Sequence, residues 1–458
     1  MNLRRAKIFL LLVLGVWGAA FTRAAETNSL VWQADRDQVS ADIRSEALLP
    51  LLEDIAHQTG WHIFVEPGAA RNASTKFSGL PGGEALRKLL GSLNYALVPQ
   101  TNGPQQLYVF TTTIHNATQR VAAAPVKAVP QKRIANELLV KLKPGADIDA
   151  IAKSLGAKVV GRNDKLGLYR LQFADAAATD AALASLKTNP DVAAVDYNYI
   201  FARPPAPQQV ANAPAGPVSL TLDPNSTSDP CNPVVGLIDT TMQSLGSQLD
   251  PFLLKAINVT GDTTTPSTTE PTHATAMAQT ILRAVSQQGG SSSVRILPVD
   301  VYGASETASS WNVALGVQAA VDGGATVLNM SLAGTTDGAI LNDIIQQALA
   351  KGVVIFAAAG NTPVNTPTYP AAIPGVNAVT ALGQPGQLAS YANFGSFVEM
   401  ALPGSSVIYL GSQAYVVVGT SPATAFASGV AAGTKGINCL PWSQIQSAMA
   451  AKFPVPQK

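Results

Sequence analysis

From Cys231 to the C-terminus the chain alternates short, almost wholly apolar segments with segments of helical periodicity, and this constrains the fold most. VVGLID, VRILPVD, TVLNMS and VVIFAAAG each fit a buried strand. NVALGVQAAVDG and ILNDIIQQALAKG carry apolar residues at helical spacing and run up to a glycine. Such alternation predicts an α/β domain with a mostly parallel sheet and helices on both faces. Functional groups of such sheets gather at the carboxyl ends of the strands. Four candidates stand at such positions. Asp239 closes VVGLID, and Asn361 follows VVIFAAAG. His273 opens a helical stretch, and Ser421 sits where a Gly-Thr turn leads into another helix.

Taken singly, these residues have plainer readings. An aspartate after a strand is usually a turn or cap residue, and GTS at a helix start is often an N-cap. As a set they offer nucleophile chemistry. Serine attacks poorly unless an imidazole takes its proton, and His273 is the only histidine after residue 115.

The segments VVGLIDTT, HATAMA, LNMSLAG, FAAAGN, YPAAIPGVNAVTA and GTSPATAFASGVAAG resemble, in that order, the signatures of subtilisin-like serine proteases. The resemblance implies Asp239, His273 and Ser421 as catalytic triad and Asn361 as oxyanion donor. It implies that Ser331, Leu332, Ala333 and Gly334 line the substrate cleft. The expected activity is hydrolysis of protein or peptide substrates, with no metal or organic cofactor in the chemistry. Calcium often stabilises such enzymes, but no EF-hand-like loop or dense carboxylate cluster in the catalytic region names a site. Departures surround the histidine: Ala274, Ala276 and Gln279 occupy positions where the family commonly has glycines and a second histidine. Pro422 directly follows the serine, which a helix's first turn tolerates. These changes keep a second expectation open, a catalytically weak or inactive subtilisin-fold protein that binds or assembles partners in the periplasm.

The first 25 residues combine a basic start, an apolar core and small residues, the pattern of a signal peptide. The alternative is a membrane anchor, for which the apolar stretch is short. Export to the periplasm or the extracellular space is expected, and no integral membrane segment after the signal is removed. Cys231 and Cys439 stand at the edges of the catalytic segment, either bridged or as two buried free thiols. The net charge of +1 gives no support for a nucleic-acid partner.

Two smaller α+β domains are expected before the catalytic domain (231–458). Residues 26–115 contain LLEDIAHQTGWHIFVEP and FSGLPGGEALRKLLGSLNYALV, which resemble the short N-terminal domain of secretins and TonB-dependent receptors. That resemblance implies an envelope protein partner bound through residues 29–114. A linker follows at 116–133. Residues 134–202 read as β-α-β-β-α-β, a ferredoxin-like layer. Their position resembles that of subtilase propeptides, which implies a partner for the catalytic domain within the same chain. Residues 203–230, rich in proline and alanine, form a second linker where a maturation cut is expected.

Overall fold

The computed structural model describes residues 28–33, 38–98, 105–121, 132–210, 220–226, 228–262, 265–289, 293–384 and 386–456. The expected signal peptide, most of the first linker and part of the second lie outside these residues. The chain divides into two units at residue 127.

In the first unit, helices Leu48–Thr59 and Gly82–Leu90 accompany two sheets. One sheet joins Ser29–Gln33, Gln38–Ala47 and Asn72–Leu80. The other runs in the order Asn94–Val98, Gln106–Phe110, His62–Val65, Gln119–Val121. Leu51, Ile55, Ile63, Leu89 and Val109 are among the residues that fill its core. Gln38–Ala47 was not expected as a strand. Its inward Val39, Ala41 and Ile43 alternate with polar residues and give only a weak apolar signal.

The second unit begins with the β-α-β-β-α-β layer: Arg133–Leu142, Ile148–Ser154, Lys158–Asn163, Leu168–Gln172, Ala176–Leu186 and Val192–Ala202. Asp147 and Asp175 cap the two helices, Asp147 accepting the N–H groups of Asp149 and Ala150 and Asp175 that of Ala178. One sheet face buries Leu138, Val140 and Leu171 under these helices. The other sets Leu139 and Leu168 in one core with Trp311 and Leu341 of the following domain. Asn198 is fully buried between the two bodies. Its Oδ1 accepts from Ser310 Oγ and the Trp311 N–H, both at 3.1 Å, and its Nδ2 donates to Glu137 at 2.7 Å.

The following domain has the expected α/β architecture. Parallel neighbours run in the order Ile257–Asn258, Arg295–Asp300, Val234–Asp239, Val327–Met330, Val354–Ala358, Asn377–Gln384. Met400–Pro403 adds a further parallel strand, and Gln387–Leu388 pairs antiparallel at the edge. Helices Ser310–Asp322 and Ala339–Ala350 share one core below the sheet, while His273–Gln287 and Thr420–Asn438 share another. An antiparallel hairpin, Ser405–Leu410 with Gln413–Val418, leads into the last of these helices. Cys231 and Cys439 are joined in a disulfide that closes a 208-residue separation. No helix of the described residues is long and apolar enough to cross a membrane.

Candidate active site

Asp239 is the last residue of a strand with neighbours on both sides, which leaves its side chain 1% exposed at the strand's carboxyl end. His273 is the first residue of its helix, whose cap residue Thr272 accepts the Thr275 N–H at 3.2 Å. The two meet closely: His273 Nδ1 lies 2.8 Å from both Oδ1 and Oδ2 of Asp239. Asp239 Oδ1 also accepts the Thr240 N–H at 2.7 Å, and Thr240 Oγ1 in turn accepts the N–H of Ala274 at 3.1 Å. A carboxylate held this way favours the imidazole tautomer with its proton on Nδ1 and its lone pair on Nε2.

A residue absent from the sequence expectations completes this setting. Gln243 is buried, and its Oε1 accepts from the Thr272 N–H at 2.7 Å and from Thr275 Oγ1 at 2.9 Å. Its Nε2 donates to the carbonyls of Ser267 and Glu270. The side chain thus ties the first turn of the histidine helix to the preceding loop. Gln279, one of the departures in sequence, donates to the Tyr409 carbonyl at 2.6 Å and accepts the Tyr409 N–H at 2.9 Å. The larger side chain therefore locks this helix to the hairpin. Gln243 carries no periodic signal, and only its contacts reveal it.

Ser421 is the second residue of Thr420–Asn438 and is buried. Its Oγ donates to the Ser331 carbonyl at 3.4 Å, and Ser331 Oγ donates to the Ser421 carbonyl at 3.4 Å. The hydroxyl faces Ser331, and among the described residues it makes no hydrogen bond to His273. Ser331 through Gly334 continue from the strand Val327–Met330, and Gly334 exchanges backbone hydrogen bonds with Tyr369 at 2.8 Å. A buried chain, Ser428 Oγ to Asn329 Oδ1 and Asn329 Nδ2 to Ser331 Oγ, each 3.0 Å, ties the serine helix to this segment.

Asn361 lies exposed at the end of Val354–Ala358 and its following turn. Its Oδ1 accepts the Thr420 N–H at 2.9 Å and Thr420 Oγ1 at 3.1 Å, which orients the amide beside the serine. Gly360 takes φ of +102°, and a Cβ there would meet Asn393 Nδ2 at 2.6 Å, so glycine is required. Asn393 is fully buried and holds the turn by donating to the Ala359 carbonyl at 2.7 Å and accepting the Thr362 N–H at 2.8 Å.

Residues 231–453 match the model of the Subtilase family, and residues 120–198 match that of the Fervidolysin N-terminal prodomain. The chain is 31% identical over 202 residues to thermitase of Thermoactinomyces vulgaris, covering 43% of this chain and 72% of that one. The chain belongs to the subtilase family. This subtilase is also 34% identical over 168 residues to a thermostable alkaline protease of Halalkalibacterium halodurans. That match covers 36% of this chain and 46% of the relative, so the chain spans about half the relative's length. In fold it is similar to fervidolysin of Fervidobacterium pennivorans, a keratinolytic enzyme related to subtilisin, with a TM-score of 0.55 and 19% identity. That likeness covers 69% of this chain and 57% of fervidolysin. The subtilase domain is thus preceded by a fervidolysin-like prodomain.

Proposed function

We propose that this subtilase is a serine endopeptidase made as a self-processing precursor. The observation that carries the reading is the 2.8 Å pairing of His273 Nδ1 with Asp239 beside the helix that presents Ser421. In the proposed reaction Ser421 Oγ attacks the substrate carbonyl carbon while His273 Nε2 takes its proton. The Ser421 N–H and the Asn361 amide receive the oxyanion. His273 then gives the proton to the departing amine as the C–N bond breaks, and water releases the acyl group by the reverse route. Ser331–Gly334 supply an extended edge for the substrate. Residues 134–202 serve as propeptide and 231–458 as catalytic domain.

The Cys231–Cys439 disulfide supports export as part of this reading, since a disulfide persists in oxidising compartments. We assign residues 29–114, which have a core of their own, to recognition of an envelope protein, on the basis of the two quoted segments.

A second reading, an inactive binding or assembly protein, draws on the orientation of Ser421 toward Ser331. Intact-mass analysis of the exported wild type beside Ser421→Ala, with hydrolysis of a small peptide, separates the two. A peptidase cuts itself and the peptide only with Ser421 present. A folded wild type that stays whole and leaves the peptide untouched sinks the enzyme reading.

A further inference from the structure

Beyond Val192–Ala202 the chain runs on as a strap pinned at both ends. Upstream, Ile200, Phe201 and Ala202 pair antiparallel with Ser309, Ala308 and Thr307. The Arg203 N–H donates to the Glu306 carbonyl at 2.8 Å, and the Tyr302 hydroxyl donates to the Ala202 carbonyl at 3.2 Å. Phe201 is buried against Gly334, in the segment whose Ser331 touches Ser421. Downstream, Gln208 and Gln209 pair antiparallel with Val416 and Tyr415, and the Val210 N–H donates to the Ala414 carbonyl at 2.9 Å. The strand Gln413–Val418 runs through Gly419 and Thr420 to Ser421.

The stretch between the two pinned segments runs from Arg203 to Gln208. The sequence there is RPPAPQ, and every peptide bond in it has proline on at least one side. Proline obstructs both halves of the proposed reaction. On the leaving side its nitrogen carries the ring Cδ in place of hydrogen, directed where His273 must deliver a proton. On the acyl side the ring holds φ near about −65°, away from an extended strand, and removes an N–H that would pair with the cleft.

We infer that residues 203–208 are a built-in, self-resistant ligand of the cleft, and that the maturation cut falls beyond Gln209. The inference rests on the peptidase reading above and narrows its cleavage site. The test compares four full-length chains by intact mass and by hydrolysis of a small peptide: wild type, Pro204→Ala/Pro205→Ala, and each of these two with Ser421→Ala. Neither proline is buried, so the fold should tolerate their replacement. Expected are wild-type termini only beyond Gln209, and in the double variant a new Ser421-dependent terminus between Arg203 and Ala206. A Ser421-dependent wild-type terminus inside 203–208 overturns the proposal. So does a double variant that hydrolyses the peptide yet gains no cut in this window. If neither chain cuts itself nor hydrolyses the peptide, the peptidase reading has failed and the strap proposal with it.

Discussion

Asp196, in the last strand of the prodomain, accepts through Oδ2 the N–H of Ile340 at 2.9 Å, in the first turn of helix Ala339–Ala350. A carboxylate at this end of a helix meets unpaired N–H groups and the positive end of the dipole. Burial nevertheless dominates and pushes its pKa up to about 6, with the Ile340 and Ala339 N–H groups pulling down and Asp337 adding to the rise. Undocked, the carboxyl returns toward its ordinary value near about 4, so docking binds a proton. That contribution to docking is complete below the ordinary pKa and is lost as pH rises through about 6. Protection of the first amides of Ala339–Ala350 against hydrogen exchange, corrected for intrinsic rates, should fall roughly tenfold or more between pH 5 and pH 7.5. In Asp196→Asn it should stay flat. A wild type whose protection does not change over this range contradicts the assignment.

Asn361 has two separable jobs, because its oxygen is committed to Thr420 while its amide nitrogen is the proposed oxyanion donor. Asn361→Asp keeps the acceptor and loses the donor. It should lower kcat by about 100- to 1000-fold, the scale known for this donor in subtilisin, with little change in KM or thermal midpoint. Asn361→Ala should show a similar kcat and a lower midpoint as well. Equal kcat in Asn361→Asp and wild type would remove this residue from the oxyanion role.

Gln243 touches no reacting group, yet it anchors the cap of the histidine helix. Gln243→Ala leaves buried partners unsatisfied, at a cost of about 1–3 kcal/mol. A displacement of His273 by about 1 Å would reduce kcat by about a hundredfold. A variant with a lowered midpoint in urea but wild-type kcat would reduce Gln243 to a stability role.

Gly334 meets Phe201 so closely that a Cβ would lie 2.9 Å from the ring. Gly334→Ala forces the buried ring aside, an overpacking worth about 1–3 kcal/mol. The strap should loosen, and the lag before peptide hydrolysis appears should shorten. An unchanged lag would mean that Phe201 does not limit release.

Much of this arrangement is legible in the sequence because buried parallel strands advertise themselves. VVGLID and VVIFAAAG coincide closely with Val234–Asp239 and Val354–Ala358, since a strand covered on both faces has no polar alternation to confuse the reading. Asp239 is visible for the same reason, at the abrupt end of an apolar run, whereas Ser421 is visible at the Gly-Thr turn that opens a helix. Gln38–Ala47 is hidden because one of its faces is wet. The positions of Gln243 and Asn393 are illegible from spacing, since each bonds loops distant in sequence. The pairing of Gln208 and Gln209 is equally invisible, because backbone hydrogen bonds to an edge strand ask little of side chains.

The histidine and serine helices cross where Gly429 faces the backbone of Ile281, and a Cβ at Gly429 would stand 2.4 Å from the Ile281 carbonyl oxygen. Gly429 is eight residues below Ser421, or about 12 Å along the helix. The separation of His273 from Ser421 is therefore gauged by a contact remote from both, as the opening of tongs is fixed at the pivot and not at the tips. A single methyl group inserted there would pry the tips apart without altering any residue that a substrate could reach.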